Sequence, residues 1–211
     1  MRILVVGASQ GTGALVVEEA LKRGHLVTAF ARSPQRLALD NPNLTRSSGN
    51  FHDLESIKSA VPGHDAVIVT ASATSLRAFK DNPNYFSLGT RHVIEAMKEH
   101  NVKRLVVLSA LGTGESAKLM NAFLRMLVIG WLLKIPYEDH ARQEQLTRDS
   151  GLDWVIARPS RLTNGPARKQ YQKKSAVEPV PNSISRADVA DFLLEAVETD
   201  QWLRQAVQLG G

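Results

Sequence analysis

Gly7-Ala8-Ser9-Gln10-Gly11-Thr12-Gly13 sets three glycines among small and polar residues. It stands between an apolar run, Ile3 to Val6, and a stretch of helical spacing, Gly13 to Arg23, in which Leu15, Val16, Ala20 and Leu21 are apolar. A turn of this composition between strand and helix suits a phosphate. The first glycine permits a tight turn. The later ones let backbone approach a pyrophosphate and let helix pack on strand. The helix N-terminus adds free N–H groups and the positive end of its dipole. The spacing is G-x-x-x-G-x-G rather than G-x-G-x-x-G.

A second group bears on which dinucleotide would fit. The run Leu26 to Phe30 is followed by Ala31-Arg32-Ser33-Pro34-Gln35-Arg36, with no acid. An Asp or Glu there would accept from a ribose 2′-OH, whereas an Arg fork pairs with a 2′-phosphate. Arg32, helped by Ser33 and Arg36, therefore predicts NADP(H) as the cofactor.

The acid–base inventory is thin. Four residues after Tyr85, Tyr137 and Tyr171 stand Gly89, Ala141 and Ser175, so no Tyr has a Lys four places on to lower its pKa. The six histidines form no H-E-x-x-H or comparable cluster, and there is no cysteine, so no metal site is expected. Chemistry that needs little proton transfer remains, such as hydride transfer to a conjugated acceptor with water as proton source. Two side chains are candidates for a catalytic role. Ser109 follows a buried run at the end where ligands bind in open α/β sheets. His140 lies on a helical stretch, where it would stack on or hydrogen-bond a substrate. A capping hydroxyl and a packing imidazole are the competing readings.

The elements that must carry these residues alternate. Apolar runs occur at Ile3–Val6, Leu26–Phe30, Ala66–Thr70, Leu105–Leu108, Trp154–Ala157 and Ala206–Leu209, and Leu44–Ser47 reads as a short third strand. Helical patterns separate them at 53–61, 86–100, 137–149 and 186–198, with Gly24, Pro62-Gly63 and Ser150-Gly151 as stops and Ser185 as a cap. Strands apolar throughout and joined by helices imply a parallel sheet covered on both faces. The expected fold is one doubly wound α/β Rossmann domain over 1–211, with strand order 3-2-1-4-5-6 and a seventh strand.

Several stretches resemble atypical short-chain dehydrogenase/reductases of the NmrA-like group. They are Gly7 to Gly13, Gly63-His64-Asp65-Ala66-Val67-Ile68-Val69, Ala96-Met97-Lys98, Asp139-His140-Ala141-Arg142, Ser150 to Trp154, and Arg158-Pro159. Within that group the chain is most similar to the biliverdin reductase B, or flavin reductase, branch, and His140 preceded by Asp139 is the telling pair. The similarity runs over nearly the whole chain. It implies NADPH-dependent reduction of flavins, biliverdins and some quinones. It places cofactor phosphates on Gly7 to Gly13, the 2′-phosphate on Arg32 and the adenine near Asn50 and Phe51. The nicotinamide side would be lined by Ala71, Ser72, Ser109 and Ala110, with Pro159 closing strand six nearby. Two departures stand out. Gln10-Gly11 reverses the family's order, and Ala110 stands where the family carries its functional serine. An NADP(H)-sensing regulator without turnover, and a quinone or carbonyl reductase, are the alternatives.

The net charge of +5 fits an anionic small-molecule partner, such as FMN or a tetrapyrrole, better than nucleic acid. Arg161, Arg168, Lys169, Lys173 and Lys174 crowd the aperiodic stretch 160–184, read as a long loop that is either solvated or captures such an anion. The apolar segment 119–135 is too short and too charged to span a membrane and is read as lid, dimer face or core helix. The lack of cysteine and of signal-peptide features predicts a cytoplasmic protein, and the resemblance implies a monomer or weak dimer.

Overall fold

The computed structural model describes residues 1–73, 77–119, 133–175 and 177–211. The apolar run at the start forms β1 (Arg2–Val6), and each later run forms a strand beside it or beyond. They are β2 (Leu26–Ala31), β3 (Leu44–Ser48), β4 (Ala66–Val69), β5 (Arg104–Leu108) and β6 (Asp153–Pro159). Three short strands follow, β7 (Arg161–Thr163), β8 (Gln172–Lys174) and β9 (Ser183–Ser185), and then β10 (Gln205–Gly210). The main sheet has the order β3-β2-β1-β4-β5-β6-β10-β8. Every pairing in it is parallel except β10 with β8. The expected order holds, and the seventh strand is β10 against β6.

Among the described residues the helices are α1 (Gly11–Lys22), α2 (Leu54–Ala60), α3 (Arg77–Asp81), α4 (Tyr85–Glu99), α5 (Lys134–Arg148) and α6 (Arg186–Glu198). Successive strand residues point to opposite faces, so β1 divides its side chains between two cores. Ile3 and Val5 join Val16, Val17 and Leu193 under α1 and α6. Leu4 and Val6 join Ile57, Val93 and Met97 under α2 and α4. The switch in crossover direction between β1 and β4 opens a crevice at the carboxyl ends of these strands.

Local chemistry sets the helix ends. Gly24, at φ +79°, terminates α1 in a Schellman arrangement in which the Gly24 N–H donates to the Leu21 carbonyl and the His25 N–H to that of Ala20. Asp53 caps α2 by accepting from the Glu55 N–H, and Ser185 caps α6 by accepting from the Asp188 N–H. One expectation changes. The 160–184 stretch is no plain loop, because β7 pairs with β9 and β8 adds to the main sheet. Strands of three residues are too short to show a period. Of the apolar segment expected as lid, dimer face or core, residues 120–132 lie outside the described residues. No helix among the described residues is long and apolar enough to cross a membrane.

Candidate functional site

The carboxyl ends of β1, β2, β3 and β4 surround a cleft of about 420 Å³. Its lining brings together Gly7, Ser9, Gln10, Arg32, Ser33, Arg36, Asn50, Phe51, Ala71 and Ser72, ten of the residues singled out from the sequence. The chain is threaded to make this space. The Gly7 and Ala8 N–H groups both donate to the Phe30 carbonyl, drawing the turn after β1 against β2. Gly7 has φ +89°, and a Cβ there would stand 2.6 Å from the backbone of Ala71. Gly13 is needed for contact rather than for conformation, since a Cβ on it would meet the Gly7 carbonyl oxygen at 2.2 Å. Ala8, Thr12 and Gly13 are buried beneath the turn, while Gln10 and Gly11 are exposed at its crest.

Gln10 is the N-cap of α1, yet its side chain makes no capping bond and the first turn carries no acid. The helix thus begins with N–H groups left for another acceptor. Arg32 and Arg36 are exposed, and neither forms an ion pair among the described residues. Among the described residues no carboxylate lines the cleft. Free helix N–H groups, two unneutralised guanidinium groups and a backbone cradle that a Cβ would fill fit a dinucleotide bearing phosphates.

Five further lining residues were not among the candidates from the sequence: Phe30, Ala31, Gly49, His52 and Tyr85. Gly49 adjoins Asn50, which the family resemblance places near the adenine. His52 and Tyr85 meet only in three dimensions, with ring centroids 4.4 Å apart and planes at 83°. The Tyr85 hydroxyl donates to the Ser72 carbonyl oxygen, tying α4 to the segment after β4. Burial raises the Tyr85 pKa, and the charge of Arg32 opposes it. Phe51 is turned inward. A Cβ on Gly89 would stand 2.3 Å from its ring, so the side chain is occupied in packing against α4.

The remaining candidates lie off the cleft lining. Ser109 is buried, and its hydroxyl donates to Glu144 at 2.7 Å. The His140 ring stacks on Phe86, with centroids 3.9 Å apart, and its Nδ1 meets Gln143 Oε1 at 2.9 Å. Burial lowers the His140 pKa, which keeps the imidazole neutral near pH 7. Asp139 beside it is fully buried and accepts from the N–H groups of Phe86 and Ser87 at the start of α4. Ala110 lies in the turn after β5, and the Pro159 carbonyl accepts from the Leu111 N–H. The basic residues of 160–184 are partly spent on pairs, Lys173 with Glu195 and Lys174 with Glu178. Gly7-Ala8-Ser9-Gln10-Gly11 also spells a serine nucleophile elbow. Ser9, however, has no hydrogen-bond partner among the described residues and so no base to activate it. Among those residues no cluster of three or more His, Asp or Glu could hold a metal.

Residues 7–200 match the family described as NAD(P)H-binding. The chain belongs to this NAD(P)H-binding family. Reductase pytE of Aspergillus terreus is 27% identical over 237 residues, covering 92% of this chain and 90% of that protein. Two solved structures share the fold of this NAD(P)H-binding protein. A short-chain dehydrogenase/reductase from Veillonella parvula, solved in complex with NADP, gives a TM-score of 0.83 at 17% identity and covers 100% of this chain and 94% of that one. ChuY, an anaerobillin reductase from Escherichia coli O157:H7, gives 0.81 at 22% identity over 100% and 97%. The glycine-lined cleft lies where such a fold binds its dinucleotide.

Proposed function

We propose that this protein is an NADPH-dependent reductase of a small conjugated acceptor, such as a flavin or an open-chain tetrapyrrole. The observation that carries the cofactor choice is the cleft wall of Arg32 and Arg36 without any carboxylate. Such a wall favours a 2′-phosphate over a 2′-hydroxyl. The turn Gly7, Ala8, Ser9, Gln10, Gly11, Thr12 and Gly13 would hold the pyrophosphate, with Gly7 and Ala8 tying it to β2 and the later residues, at the start of α1, offering N–H groups. Arg32, Ser33 and Arg36 would hold the 2′-phosphate. Asn50 and Phe51 would flank the adenine. Ala71, Ser72, Ala110 and Pro159 would line the nicotinamide side. When bound, the dinucleotide supplies a hydride.

The chain's own residues then bind and orient. Ser109 already gives its hydroxyl hydrogen to Glu144, so in this arrangement it can accept a hydrogen bond but has no proton to donate. His140 is engaged by Phe86 and Gln143. Neither side chain is set to act as an acid, which suits an acceptor whose reduction takes its proton from water. The similarity to the reductase pytE and the likeness in fold to ChuY support the reductase class.

The same two engagements favour a second reading, a protein that binds NADP(H) and signals without turnover. Purified protein mixed with NADPH and FMN, riboflavin, biliverdin or a simple quinone, with NADH as control, separates the two. Loss of reduced-nicotinamide absorbance with FMN or biliverdin, and preference for NADPH, is the expected result. Tight NADPH binding with no turnover on any acceptor would select the sensor.

A further inference from the structure

His52 holds a fixed tautomer, and this has consequences for the base that the cleft accepts. Its Nε2 lies 2.9 Å from the Tyr85 carbonyl oxygen. A carbonyl can only accept, so Nε2 carries the hydrogen, and in the neutral ring Nδ1 is left as an acceptor. Nδ1 has no partner among the described residues, and the ring lines the cleft. Asn50, two residues earlier, is committed in the opposite sense. Its Oδ1 accepts from the His52 N–H at 3.1 Å, closing a turn. Its amide N–H groups have no partner among the described residues. One wall of the cleft therefore offers a donor on Asn50 beside an acceptor on His52.

The wall lies near the arginines. Tyr85 packs on His52 and feels the charge of Arg32. A ribose whose 2′ position faces Arg32 carries its base on the adjoining ring carbon, which brings the base toward His52 and Asn50. A 6-aminopurine presents a ring-nitrogen acceptor next to an amino donor. A 6-oxopurine presents an oxygen acceptor in place of the amino donor.

We infer that His52, through its free Nδ1, selects a 6-aminopurine dinucleotide over its 6-oxo counterpart, with Asn50 supplying the matching donor. The inference rests on the reading that this cleft binds NADP(H). It makes His52 a specificity-determining residue rather than a catalytic one.

The test is a pair of equilibrium titrations of the purified protein, one with NADPH and one with the analogue whose adenine is replaced by hypoxanthine. The wild type should bind NADPH at least about tenfold more tightly, since one mismatched hydrogen-bonding edge costs about that much. His52→Phe keeps an aromatic ring and removes the acceptor, and it should bring the ratio to about one. Equal affinity of the wild type for both compounds overturns the inference without any variant. An unchanged ratio in His52→Phe overturns it as well. Failure of the underlying reading looks different. There the wild type binds neither compound, or Arg32→Ala leaves NADPH affinity unaltered.

Discussion

Arg158, at the carboxyl end of β6, grips both carboxylate oxygens of Glu144 on α5, with Nε to Oε1 at 2.9 Å and Nη2 to Oε2 at 2.5 Å. Both side chains are almost wholly withdrawn from solvent, at 1% and 4% exposure. Breaking such a pair leaves an uncompensated buried charge. Arg158→Met should therefore cost about 3–5 kcal/mol of stability. Adding Glu144→Leu should recover part of that loss, because the remaining charge goes too while the Ser109 hydroxyl loses its acceptor. Urea denaturation of the single and double variants checks both statements, and a double variant no more stable than the single one would contradict them.

The same guanidinium reaches Glu115, a half-exposed carboxylate before the apolar segment, at 2.9 and 3.0 Å. The hydrogen bond from Arg158 brings the Glu115 pKa from an ordinary 4.5 to about 2. A carboxyl depressed in the folded state stabilises above its unfolded pKa, and the contribution fades as pH falls through the folded value. The stability gap between wild type and Glu115→Gln should hold steady from neutral pH to about 4.5 and close toward about 2. Thermal midpoints across that range report it, and a gap that grew with acidity would refute the assignment.

Burial lowers the pKa of His140 below its ordinary 6.5. The unfolded chain then binds a proton that the folded chain refuses, so stability should fall as pH drops below 6.5 toward the folded value. His140→Gln cannot titrate and should flatten this part of the pH–stability curve. A curve of unchanged shape would mean that His140 charges freely in the fold.

Arg32→Ala should weaken NADPH binding by about 10- to 100-fold, the worth of charge-assisted hydrogen bonds to a phosphate, and leave NADH affinity nearly unchanged. Fluorescence titration with each dinucleotide reads the ratio. A parallel loss for both would assign Arg32 to general attraction rather than to the 2′ position.

Gly13→Ala and Gly11→Ala should differ although the residues are two apart. A Cβ at 13 would press on the Gly7 carbonyl oxygen at 2.2 Å, backbone against backbone, and the substitution should prevent the turn from forming. A Cβ at 11 meets nothing within 4 Å, so only the φ of +58° opposes it, at about 1–2 kcal/mol. Comparing soluble yield and melting temperature of the two variants decides whether contact or conformation dominates.

The buried strands, the phosphate turn and the arginines after β2 are legible in the sequence because each is local. Four to six consecutive apolar residues need no partner to announce a buried strand. A glycine turn between strand and helix, or an arginine in place of an acid, is read within a dozen residues. The short strands β7, β8 and β9 are not legible in this way, because three residues have no period and gain their bonds from distant partners.

The roles of individual side chains belong to the tertiary structure for the same reason. From sequence, Ser109 and His140 are polar residues near the end where ligands bind. Folding sets Ser109 against Glu144, 35 residues on, and lays His140 over Phe86. It also brings His52 to Tyr85, 33 residues away. Chain order determined where the cleft would open and which charge would face it. Which hydroxyl keeps its hydrogen, and which imidazole nitrogen stays free, was decided by contacts between segments that are far apart along the chain.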